Sequence, residues 1–217
     1  MNEVENDLGS EYYGHGSWRA PYWFIGPEPG QSLSENNDLK LRHHAFRHLG
    51  EDGLTDCGAF HEFIGETRWH RPLRPALQPT WSRLILLLMT FLEKPADNES
   101  LRVYQREYWG RIGGETCVVE LSGLAARDSG IPRDRKKFRE SRIEGIRYRM
   151  KTHRPALVVM YGIGAKQHWE RIVNLPLDPG CVKTADSTIL AFAAHPVARG
   201  QKKEYWMDLG LRMRAMR

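Results

Sequence analysis

Tyr22-Trp23-Phe24-Ile25-Gly26-Pro27-Glu28-Pro29-Gly30 decides the fold. Four aromatic and β-branched residues suit a buried strand, and the glycines and prolines that follow cannot continue one. A second stretch repeats the arrangement near the other end of the chain, where Ile189 to Ala194 lead into His195-Pro196-Val197-Ala198-Arg199-Gly200. In an open parallel α/β sheet, ligands bind outside the carboxyl ends of the strands. The two turns therefore set a carboxylate, Glu28, and an imidazole, His195, where chemistry is usually done. They become neighbours only if the first and last strands share one sheet.

Working outward, two further runs read as strands. Thr116-Cys117-Val118-Val119-Glu120-Leu121 opens into Ser122-Gly123, and Ala156 to Tyr161 ends at Gly162-Ile163-Gly164. Helices are expected over Asp38–His48, Thr80–Glu93, Arg102–Ile112, Ala165–Val173 and Gln201–Arg217, from their periodicity and their proline and glycine stops. Strands alternating with helices predict a three-layer α/β/α sandwich around a mainly parallel four-stranded sheet. At 217 residues, the chain is read as a single domain spanning 1–217, with Met1–Ser17 as a loose acidic lead-in. Gly50–Pro79 reads as a long irregular segment that interleaves aromatics with cations, a composition suited to phosphates and stacked bases.

Charge narrows the partners. Lys and Arg number 32 against 27 Asp and Glu, with a sequence pI near 9.2, so a nucleic acid is a partner worth testing. Between Arg127 and Arg154 stand 11 basic residues against 4 acidic ones, an excess of 11 − 4 = +7 that includes Arg135, Lys136 and Lys137. So one-sided a run favours a polyanion contact over salt-bridge lacing. Cys57, Cys117 and Cys181 are scattered and odd in number, so they suggest neither a disulfide framework nor a metal knuckle. The longest apolar run, Leu84–Met89, falls far short of the roughly 20 residues that cross a bilayer. A cytoplasmic protein with reduced thiols is expected.

Gly26-Pro27-Glu28-Pro29-Gly30 and Ala194-His195-Pro196, at the ends of the first and last strands, resemble the two signature turns of the uracil-DNA glycosylase superfamily. The resemblance implies a four-stranded parallel sheet and hydrolysis of an N-glycosidic bond after base extrusion. It places Glu28 where that superfamily orients the attacking water and His195 where it faces the departing base. Gly26 and Pro27 fall in the base-binding turn. The chemistry wants these types independently, because positive charge grows on the sugar and negative charge on the base as the bond breaks. Glu120 falls where the superfamily carries an Asn that reads the base, with Ser122 as the nearby alternative. An ionised carboxylate only accepts hydrogen bonds, so Glu120 must be protonated, leave the reading to Ser122 or backbone groups, or meet a base with an exocyclic amine. Arg199 falls where a side chain fills the gap left by the extruded nucleotide. Phe46, Phe60 and Trp69 are candidates for a stacking floor.

The expected function is thus a monomeric, monofunctional DNA glycosylase acting on uracil or another deaminated base, with no metal or organic cofactor. The alternative is a nucleic-acid-binding protein of the same fold without catalysis, favoured by Glu120 and by Val197 in place of the superfamily's usual Ser. A hydrolase of another kind lacks its marks, since the chain has no Gly-x-Ser-x-Gly elbow, P-loop or HExxH.

Overall fold

A computed structural model describes residues 3–30, 35–125 and 136–217, with backbone alone at 35–38. Its strands are β1 (Gly14–Gly16), β2 (Tyr22–Gly26), β3 (Leu54–Thr55), β4 (Thr116–Glu120), β5 (Leu157–Tyr161), β6 (Val182–Ala185) and β7 (Thr188–Ala193). Its helices are α1 (Glu3–Ser10), α2 (Glu35–Leu49), α3 (Cys57–Phe63), α4 (Pro79–Phe91), α5 (Asn98–Glu107), α6 (Lys136–His153), α7 (Lys166–Val173) and α8 (Lys203–Arg214). Among the described residues the strands make one mixed seven-stranded sheet in the order β3-β1-β4-β2-β5-β7-β6.

The four apolar runs form its centre. β4, β2, β5 and β7 lie side by side and parallel, and Phe24 on β2 pairs with Val118 on one side and Val159 on the other. Successive side chains of a strand point to opposite faces. Phe24, Val118, Val159 and Ala191 accordingly meet α4, α5 and α8 on one face, through Leu84, Leu101, Tyr104, Trp206 and Leu209. Trp23, Cys117, Val158 and Leu190 meet α6 and α7 on the other, through Ile143, Ile146, Trp169 and Ile172. Each such side chain contributes about 1.5–3 kcal/mol on burial, so two apolar faces per strand explain why these runs show no polar alternation.

Three strands enlarge the expected four-stranded sheet. β1 is antiparallel to β4, β3 is parallel to β1, and β6 is antiparallel to β7. None carries an apolar run: β1 is Gly-His-Gly, β3 has two residues, and β6 is a half-exposed edge. The lead-in expected to be loose is also ordered from Glu3. α1 buries Leu8 completely, and Tyr12 and Tyr13 are buried beyond it. Gly123 permits this docking, because a Cβ there would lie 1.9 Å from the Leu8 carbonyl oxygen. Within the segment expected to be irregular, Asp56 caps α3 by accepting from the Ala59 amide at 3.0 Å. No described helix is long and apolar enough to cross a membrane.

Candidate functional site

The four parallel strands release their chains at one edge of the sheet, and a cavity of about 470 Å³ opens there. Pro27 and Glu28 line it from the turn after β2, Glu120 and Ser122 from the end of β4, Tyr161 from the end of β5, and His195 from the turn after β7. The β2–β4 pairing runs on past both strands, with Leu121 donating to the Gly26 carbonyl at 2.8 Å and Ser122 to that of Pro27 at 3.0 Å. That extension keeps the two turns abreast. A volume of this size suits a small molecule or one extruded nucleoside.

Glu120 is the electrostatic centre of this wall. Burial pushes its carboxyl up to about 8, and the Arg142 guanidinium, the Tyr161 hydroxyl and Arg42 hold it down only in part. Its Oε2 has no hydrogen-bond partner among the described residues. At neutral pH Glu120 is therefore mostly a neutral acid, able to donate one hydrogen bond and accept others. Gly26 makes the arrangement possible. A Cβ at that position would lie 2.3 Å from the Tyr161 hydroxyl and 2.5 Å from Glu120 Oε2.

Arg142 lies behind Glu120, and it is fully buried. Its guanidinium donates to the carbonyls of Glu120 at 2.6 Å, Leu121 at 2.9 Å, Tyr12 at 2.8 Å and Gly9 at 3.2 Å. It also stacks 4.2 Å from the Tyr13 ring centroid. The cation is thus spent on backbone rather than on the Glu120 carboxylate. It ties the end of β4 to the chain leaving α1.

His195 is partly buried, which lowers its pKa, and its ring meets Tyr161 edge-on at 5.5 Å. The Val197 amide donates to Nδ1 at 3.4 Å. With Nδ1 accepting, the neutral ring carries its proton on Nε2 and has a donor to offer. Glu28 is half-buried between its two prolines. Ser122 lines the cavity, but its hydroxyl donates to the Leu124 carbonyl at 3.1 Å and accepts from the Leu124 amide at 3.2 Å, so its own loop occupies it.

The remaining expected residues stand apart from the cavity. Arg199 is exposed, four residues beyond His195 on the same turn. Lys136 and Lys137 are exposed in the first turn of α6, and Arg135 lies outside the described residues. Farther along α6 the basic run turns inward. Arg149 pairs with Asp52 at 3.0 Å and stacks on Tyr13 and Trp18, while Arg147 meets Glu144 and the Arg171 carbonyl.

The second wall comes from sequence that carried no motif, and its β1 part adjoins the first, since the Glu120 amide donates to the Tyr13 carbonyl at 2.8 Å. Tyr12, Tyr13 and His15 reach it from the chain around β1, Arg42 from α2, His61 from α3, and Trp69 and Trp81 from either side of Pro79. Of the three stacking candidates, Trp69 lines the cavity, with Arg68 held 4.2 Å from its ring centroid. Phe46 and Phe60 are buried in a separate apolar cluster with Leu8, Tyr12 and Phe138. Burial lowers His61 to about 3 and His15 well below its usual value, so this wall presents neutral imidazoles. Interleaved aromatics and cations in Gly50–Pro79 were the available signal for Trp69. Nothing local marked Tyr12, His15 or Tyr161.

No protein-family model matches the chain, and no curated protein does. The site is therefore argued from its chemistry. A half-buried carboxylate, a neutral acid and an imidazole donor converge on one concavity walled by indoles, and together they can stabilise a cation on one side of a scissile bond and an anion on the other.

Proposed function

We propose that this chain is a DNA glycosylase that extrudes uracil or a related deaminated base and hydrolyses its N-glycosidic bond. The observation carrying this reading is the convergence of Glu28, Glu120 and His195, from three separate strand ends, on one cavity of nucleoside size. A scissile bond shielded inside a stacked duplex requires that the base be flipped out first. In the cavity, Glu28 orients a water and offsets the positive charge that builds on the sugar. His195 donates from Nε2 to the oxygen on which the leaving base gathers negative charge. Glu120, as a neutral acid, donates to a base carbonyl, the task an amide performs in the superfamily that the turns resemble. Trp69 supplies a stacking face. The enzyme acts on DNA as a cytoplasmic monomer, on the scaffold of a three-layer α/β/α sandwich, with exposed cations at its rim.

The test is incubation of the purified protein with oligonucleotides bearing uracil, hypoxanthine, xanthine or a thymine mismatch, then alkali to reveal abasic sites. Cleavage at one of these bases, lost in Glu28→Gln, supports the enzyme. Binding without cleavage of any of them selects a nucleic-acid-binding protein, the reading favoured by the replacement of an amide by Glu120.

A further inference from the structure

Behind the indole wall, Cys57 at the start of α3 faces three imidazoles. Its Sγ lies 3.6 Å from His61 Nδ1, one helical turn on, and 3.6 Å from His70 Nε2 beyond the short turn at Thr67–Trp69. Cys57, His61 and His15 of β1 each bring one donor atom within 4.8 Å of the others'. We propose that Cys57, His61 and His15, joined by a small movement of His70 from its place beside the sulfur, form a binding site for one divalent transition-metal ion of the zinc class.

Geometry and donor chemistry agree on this class of ion. A tetrahedral ion with a metal–sulfur bond of about 2.3 Å and metal–nitrogen bonds of about 2.05 Å separates sulfur from nitrogen by about 3.6 Å. Both sulfur–nitrogen distances have that value. One thiolate with three imidazoles suits zinc or cobalt, and not calcium or magnesium, which want oxygen. The nearest carboxylate, Asp56, is already committed to the Ala59 amide and to Arg111 at 2.8 Å.

An outer hydrogen-bond chain is also in place. His15 Nδ1 lies 2.9 Å from the Thr55 hydroxyl, which in turn donates to the Gly14 carbonyl. The hydroxyl therefore accepts from His15 Nδ1–H, the kind of partner that fixes a ligand's tautomer, and leaves on Nε2 a lone pair that the Tyr12 hydroxyl approaches at 3.4 Å and that ligation takes over. His70 Nδ1 is buried with no hydrogen-bond partner among the described residues. His61 Nδ1 sits 2.7 Å from the Cys57 carbonyl, and ligation exchanges that bond for one to the metal. The Cys57 thiol gives its proton to solvent as the ion enters, so binding exchanges one proton for one cation–thiolate bond.

With four protein ligands the site is closed, and its role is structural. It would pin β1, α3 and the segment bearing Trp69, which rise from distant parts of the sequence to make one cavity wall. The proposal is independent of the glycosylase reading and stands whether or not any base is excised.

The test is a titration of chelator-treated full-length protein with cobalt(II), followed by zinc(II). One saturable equivalent is expected, with the intense visible bands of tetrahedral cobalt and a thiolate-to-cobalt charge-transfer band, both abolished by one equivalent of zinc. Cys57→Ser should lose the charge-transfer band, and His70→Gln should weaken binding at least tenfold, while Cys181→Ser leaves the spectrum unchanged. Absence of saturable binding to the wild-type protein overturns the proposal, as does an octahedral cobalt spectrum. Because that reading is made on the wild-type chain, a variant that fails to fold leaves it decisive.

Discussion

The two walls of the cavity are built on opposite principles. One is made of parallel strand ends, where Glu28, Glu120 and His195 each follow a continuous apolar run and pairing of those runs brings them together. The other is assembled from the ends of α1, β1, α3 and α4, and it holds Tyr12, His15, His61, Trp69 and Trp81. The first wall carries two carboxyls and an imidazole, and the second carries most of the rings together with Arg42. The difference teaches that the candidate acid and base groups come from the part of the fold that local pattern dictates, whereas the rest of the concavity depends on long-range docking.

Arg142 joins the two, so its loss is the largest expected effect. Arg142→Ala leaves the carbonyls of Glu120, Leu121, Tyr12 and Gly9 without their donor in a buried place. A destabilisation of about 3–5 kcal/mol is expected in denaturant unfolding. Arg142→Lys should recover only part of it, since an ammonium cannot reproduce the planar fork. A loss below about 1 kcal/mol would mean that the walls stand independently.

Within the strand-end wall, Glu28→Gln should slow single-turnover cleavage by about 10²-fold or more while DNA affinity stays within about threefold. Trp69→Ala, on the other wall, should do the reverse. Losing one stacking face weakens binding by about 1–3 kcal/mol, roughly 5- to 150-fold, with a much smaller change in the single-turnover rate at saturating enzyme. Equal effects of both substitutions on rate and affinity would erase the distinction between the walls.

The same division explains what sequence revealed. Tyr22–Ile25, Cys117–Val119, Leu157–Tyr161 and Ile189–Ala193 are covered by helices on both faces, so burial wrote them as unbroken apolar runs and the turns bearing Glu28 and His195 could be found beyond them. β1 is legible only through its partner, because two glycines and a histidine have no strand preference of their own. α1 was hidden by its acidic exposed face, with Leu8 as its one large, fully buried side chain. The basic run misled in part. Arg142, Arg147 and Arg149 share α6, a helix not expected from the sequence, and carbonyls, Tyr13 and Asp52 from elsewhere decide that they face inward or pair.

Glu120 belongs to the strand-end wall but behaves by burial, and its response to pH tests that. With its folded value near 8, the neutral form falls from nine-tenths to one-tenth between pH 7 and pH 9. Cleavage of uracil should fall about tenfold over that interval if the acid donates to the base, and Glu120→Gln, which keeps a donor, should flatten the profile. Stability carries the same sign. The folded value lies above the unfolded one near 4.5, so the stabilisation of the neutral acid is complete below pH 4.5 and is lost as pH rises through 8. The melting temperature should decline across that window in the wild type and hold in Glu120→Gln. Unchanged pH profiles for both activity and melting would remove the neutral acid from the site.

The smallest effect is expected outside both walls, in the first turn of α6. Lys136 and Lys137 are exposed there, and Lys137 lies 5.4 Å from the Phe138 ring centroid, whereas Arg142 and Arg149 of the same helix are held by buried carbonyls, Asp52 and aromatic faces. If the exposed pair contacts phosphate, each releases about 0.9 of a counterion, so Lys136→Gln with Lys137→Gln should reduce the log–log slope of DNA affinity against salt by up to about 2. The loss should be the same for every sequence and every base, because a phosphate contact carries no base information. Single-turnover cleavage at saturating protein should not move. Arg149→Gln is the contrasting substitution: it should lower stability and leave the salt slope alone. A slope unaltered by the lysine pair would make this turn a solvated face and shift the search for the DNA track to Arg199 and the rim beside His195.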